Sequence, residues 1–102
     1  MGFVIIYITH QNEDEAKKVT THLLDRRLIA CANLFPIQSS YWWEGKIAAE
    51  AEVVSIVKTR SQNWEKVKAE VKKVHPYKVP CIMKLDVQAD EEYEAWIHAE
   101  TQ

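Results

Sequence analysis

Two cysteines and four histidines carry most of the metal and nucleophile chemistry available to this 102-residue chain. Cys31 and Cys81 stand fifty residues apart with no CxxC pair, a spacing that reads as two free thiols in a reducing compartment. Cys31 with His75 is the one conceivable nucleophile and base pair, forty-four residues apart. Nothing in the sequence supplies an orienting group or an oxyanion donor for it, so no enzyme is expected. The segment Thr9-His10-Gln11-Asn12 also lacks the glycine and arginine of an anion-binding loop. His10 is expected in a solvated loop, and His22 and His98 on helix surfaces. Lys58, Arg60, Tyr77 and Asp86 are candidates to line a cleft for a small anion, although ion pairing within a sheet explains Lys58 and Asp86 equally well. Tyr41, Trp42 and Trp43 either stack a ligand or anchor a neighbouring subunit. Packing is favoured, because aromatic rings bury large areas with few rotors.

These residues are positioned by a central stretch, Ile29 to Thr59. Its arms, Ala30 to Trp43 and Lys46 to Thr59, are β-prone and flank Glu44-Gly45, which predicts one long hairpin. Arms of thirteen or fourteen residues at about 3.3 Å each extend roughly 45 Å, against a radius of gyration near 13 Å for a domain this size. The hairpin therefore protrudes, and its aromatic end invites pairing with another chain. The turn is either a two-residue primed turn at Glu44-Gly45 or a type I turn over Trp43-Glu44-Gly45 with a glycine bulge; the second asks positive φ of Gly45 alone. Pro36 removes a ladder donor, which predicts a bulge or an unpaired side, with a register break near Phe35 to Ile37.

Phe3 to Ile8 is a continuous apolar run and reads as a central strand covered on both faces. Asn12 with Glu15 starts a helix running to about Arg26. Trp64, Val67, Val71 and Val74 define a second helix from about Gln62, ended by His75-Pro76. A last strand runs from Val79 to Val87, and Asp90 caps a terminal helix with Tyr93, Trp96 and Ile97 facing inward. The order β, α, β, β, α, β, α predicts an α+β, ferredoxin-like sheet with two helices on one face, in a single domain of residues 1–102. The second face is left bare, which again predicts an oligomer. A net charge of −2 and pI near 6.1 exclude the basic footprint of a nucleic-acid binder. The six-residue apolar run near the start lacks a basic leader and is too short to span a bilayer, so a cytoplasmic protein without a membrane partner is expected.

Five segments carry a resemblance. Leu28-Ile29-Ala30-Cys31-Ala32-Asn33, Tyr41-Trp42-Trp43-Glu44-Gly45-Lys46, Lys58-Thr59-Arg60, His75-Pro76-Tyr77-x-x-Pro80 and Tyr93-x-x-Trp96 resemble, in order and spacing, the CutA divalent-cation tolerance family. The resemblance implies a tight homotrimer with hairpins pairing between subunits, similar in architecture to the PII signalling trimers. It implies copper or another divalent cation as ligand and no organic cofactor, with Cys31 and His75 as the metal-ligating candidates, a thiolate and an imidazole being soft donors suited to copper. The places where proposed ligation in the family has a further thiol and histidine hold Ile8 and Val74. The alternative it implies is a PII-like signalling or scaffold trimer with a small anionic metabolite or a protein partner in its intersubunit clefts.

Overall fold

Apolar side chains at alternate positions of four strands decide the architecture. The computed structural model describes residues 2–102. Its elements are β1 (Phe3–His10), α1 (Glu13–Asp25), β2 (Cys31–Trp43), β3 (Lys46–Arg60), a 3₁₀ turn Ser61–Asn63, α2 (Trp64–Val74), β4 (Ile82–Val87) and α3 (Glu91–Glu100). The strands form one antiparallel sheet in the order β2-β3-β1-β4. Each α-helical crossover therefore skips one strand, as in the ferredoxin-like α+β fold.

One face of the sheet buries Val4, Ile6 and Ile8 of β1 and Val57 of β3 against Val19 and Leu23 of α1 and Val67 and Val71 of α2. The side chain of Asn12 accepts a hydrogen bond from the Glu15 amide at 2.8 Å and starts α1. Arg27 closes that helix in a left-handed conformation, its amide bonding to Leu24 and that of Leu28 to Leu23. Thr59 then holds the Leu28 carbonyl at 2.6 Å, joining the helix exit to the sheet.

The second face is covered only in part. Register places Phe3, Ile5, Tyr7 and Thr9 there, beside Ile56 and Lys58 of β3 and Met83 and Leu85 of β4. Over its Phe3 end lies α3, with Tyr93 meeting Phe3 edge to face and the Lys58 ammonium 5.6 Å above the Tyr93 ring. Arg60 clasps the end of this helix through Thr101 and the His98 carbonyl. Phe35, Met83 and Leu85 remain exposed on this face. Contrary to the inward orientation expected of it, Trp96 is exposed and stacks on Tyr93.

Beyond the pair Pro36–Val53, β2 and β3 run on together to Trp43–Lys46 with no other strand beside them. This gives the subunit extents of 45 × 23 × 21 Å. The register break expected at Pro36 is absent: Phe35, Pro36 and Ile37 face Val54, Val53 and Glu52 in sequence. Because β2 is an edge strand, the missing proline donor falls on its unpaired side. The last strand starts at Ile82 rather than Val79, and Ser61–Asn63 is a 3₁₀ turn rather than part of α2.

Trp43 pairs with Lys46, so the hairpin closes through the two-residue turn, with φ of 51° at Glu44 and 79° at Gly45. Glu44 thus occupies a position that suits Asn or Gly, where an ordinary side chain costs about 1 kcal/mol. Glu44→Asn is expected to raise the urea midpoint by the equivalent of about 0.5–1 kcal/mol with an unchanged slope. A lowered midpoint would contradict this account of the turn.

Candidate functional site

The two glutamates of the distal hairpin, Glu50 and Glu52, lie two residues apart on β3 and so project from the same face as Tyr41 and Trp43 of β2. After α2 the chain turns at His75-Pro76 and brings Tyr77 onto this face, where its hydroxyl donates to Glu52 at 2.6 Å. The hydroxyl of Tyr41 donates to Glu50. Together with Tyr7, Thr9, Val79 and Cys81 these residues line a cleft of about 730 Å³. Glu52 is 7 % exposed, yet none of the ion pairs among the described residues involves it or Glu50. The hydrogen bond to Glu50 raises the Tyr41 phenol to about 12, and burial followed by the bond to Glu52 raises that of Tyr77. Both hydroxyls keep their protons at neutral pH and spend them on the carboxylates. The cleft thus presents negative charge and acceptors, with Lys78 as the one basic residue in its lining.

The turn that carries Tyr77 rests on a buried histidine pair. His75 donates from Nε2 to the Thr9 carbonyl at 2.7 Å and accepts the Tyr77 amide at Nδ1, 3.2 Å away. Both ring nitrogens are therefore engaged, which fixes the tautomer and turns the Tyr77 backbone toward Glu52. His10 stacks on His75 with ring centroids 5.3 Å apart. It is not in a solvated loop, as expected, but is the last residue of β1, paired with Val53 and fully buried. Its Nε2 meets the Ser55 hydroxyl at 2.7 Å, while Nδ1 has no partner. Protonation would leave a dry N–H without an acceptor. Burial first, then the neighbouring His75, push its pKa down to about 4, against a weaker opposing pull from Glu52.

The remaining candidates lie apart. Cys31 opens β2 opposite Lys58, whereas Ser55, the partner of His10, sits three residues further along β3, roughly 10 Å away. Cys31 and His75 therefore do not meet within a subunit, and no group of three or more metal-binding side chains occurs among the described residues. Lys58 is engaged with Tyr93, Arg60 with the end of α3, and Asp86 lies 3.7 Å from Lys84 on the opposite face. Of the cleft candidates only Tyr77 lines this cleft. Trp42, 72 % exposed, faces the other side of the ribbon with Ile47 opposite. His22 is not a free surface residue: it bridges α1 to Glu70 of α2 at 2.9 Å. His98 likewise bonds the Gly2 carbonyl.

Comparison with known proteins places this geometry. The family model described as CutA1 divalent ion tolerance protein matches residues 4–100. The divalent-cation tolerance protein CutA of Pyrococcus horikoshii is 46% identical over 99 residues, covering 96% of this chain and 97% of that protein. The solved structure of the periplasmic divalent cation tolerance protein CutA from Archaeoglobus fulgidus superposes with a TM-score of 0.96 at 42% identity, covering 98% of this chain and 99% of that one. Protein CutA of Mus musculus is 38% identical over 94% of this chain, which spans 55% of that longer protein.

Proposed function

Because this chain belongs to the CutA1 divalent ion tolerance protein family, we propose that it acts as a non-enzymatic homotrimer taking up divalent cations, copper foremost, in or beside clefts between subunits. Each subunit contributes one domain spanning the chain. The observation that carries this reading is the charge of the cleft: two carboxylates on one strand face, neither with a basic partner among the described residues. Such a cleft attracts cations. The adjoining face, with Phe35, Met83 and Leu85 exposed, is the kind of apolar patch that sister copies cover.

Cys31 opens onto that same face as a free thiol, so a donor from a second copy would complete a soft site suited to copper. His75 would first have to release Thr9 and Tyr77. An anionic metabolite, the PII-like alternative, would meet both glutamates in this cleft, with Lys78 as the one basic residue in the lining to receive it. Two free thiols suit a reducing compartment such as the cytoplasm; among the described residues no helix is long and apolar enough to cross a membrane.

Calorimetric titration of the purified protein with copper ions tests the proposal. The double variant Glu50→Gln/Glu52→Gln is expected to weaken binding about tenfold or more, and Cys31→Ser by a similar factor. His75→Ala is expected to leave it within about twofold. Unchanged affinity in the double variant would remove the cleft from the cation site, and unchanged affinity in Cys31→Ser would remove the thiol.

A further inference from the structure

The cleft is built for more than a bare ion. Its volume of about 730 Å³ falls within the range of sites that enclose small organic molecules. A metal ion held by two carboxylates would leave most of that space, and its apolar walls of Ile37 and Val79, without a partner. Four aromatic rings line it as well: Tyr7, Tyr41, Trp43 and Tyr77. Aromatic faces gathered around an acidic group are the surroundings in which ammonium ions are recognised, through attraction to the rings and ion pairing with the carboxylate.

Glu52 supplies an independent indication. It is more than nine-tenths buried, and its one hydrogen bond runs through Oε2 to the neutral hydroxyl of Tyr77. Neither of its oxygens has a counter-charge among the described residues. A buried carboxylate left in that state is costly, and an entering cation offsets the cost. The tyrosine protons are already committed to the glutamates, and Lys78 is the one cationic donor in the lining. An anionic ligand would meet two carboxylates with Lys78 alone as counter-charge.

We propose that the cleft binds an organic cation: a primary or quaternary ammonium group on a short apolar body, the ammonium placed against Glu52 and the body against the rings. This rests on the cation-binding reading of the same cleft and narrows it. Divalent metal and organic cation then compete for Glu50 and Glu52.

The full-length protein is titrated with choline and with putrescine, followed by tryptophan fluorescence and calorimetry, with 3,3-dimethylbutanol and butane-1,4-diol as neutral counterparts of the same shape. Copper ions alone form a separate arm. Saturable binding of an ammonium probe is expected, absent with its neutral counterpart and weakened about tenfold or more by Glu52→Gln. Trp43→Leu, at a half-exposed position that keeps its apolar bulk, is expected to weaken it about fivefold and serves if Glu52→Gln does not fold. Equal binding of the neutral counterparts would overturn the proposal. Silence of both ammonium probes while copper binds would overturn it and leave the cation reading standing, and silence in all arms would sink both.

Discussion

Between pH 7 and pH 4 the folded protein is expected to lose about 3 kcal/mol of stability through His10 alone. In the unfolded chain this imidazole titrates near its ordinary value of about 6.5. In the native state burial first, and then His75, hold it at about 4. Below pH 6.5 the unfolded state therefore binds the proton and the folded state refuses it. Stability is complete above about 6.5 and drains as pH falls toward 4, where the folded form begins to accept the proton. The groups facing His10 are Ser55 on β3, His75 after α2 and, more distantly, Glu52. Urea unfolding at fixed protein concentration from pH 7.5 to 4, on the native protein and on His10→Gln, measures the effect. The variant is expected to start less stable, having lost the stack on His75, but to show a shallower slope over this window. An equal slope in both proteins would assign the acid loss to other groups.

The second large effect concerns the open face. Met83 and Leu85 project from β4 beside Tyr7 and Ile5, about half exposed, and touch no part of the core shared with α1 and α2. Replacing both by aspartate leaves the subunit's own packing intact, yet a copy seated on that face would bury two unpaired charges at several kcal/mol each. Met83→Asp/Leu85→Asp is expected to keep its far-ultraviolet circular dichroism while weakening self-association by two orders of magnitude or more, roughly 3 kcal/mol per contact. Sedimentation across a dilution series reads this directly. An association unchanged by the two charges would place the contact between copies elsewhere.

Much of the fold was legible because the relevant signals are local. A continuous apolar run set β1, alternation set β4, steps of three and four set α1 and α2, and Asn12 and Asp90 cap the helices they were expected to cap. What escaped was decided by pairing. His10 follows the last apolar residue of its run, so composition ends the strand at Ile8; β3, supplying Ser55 and Val53 as partners, carries it two residues further into the interior. The stack of His10 on His75 joins residues sixty-five apart, and no local spacing announces it. Pro36 predicts a break where the chain is central and none where it is an edge, and edge position belongs to the topology.

The cleft was half legible. Tyr77 stood among the candidates, while Glu50 and Glu52 did not. Their separation by one alanine, which puts both on the face of Tyr41 and Trp43, was the available signal. The aromatic trio divides for the same reason: adjacent residues of a strand face opposite ways, so Trp42 and Trp43 cannot serve one surface.

The account depends on sister copies covering the open face and completing the cleft beside it. Light scattering coupled to size-exclusion chromatography, on the native chain without a tag at neutral pH, tests this most directly. The predicted result is a single species of three times the 11.9 kDa chain mass, held on dilution. A stable, well-folded species of 11.9 kDa would contradict it.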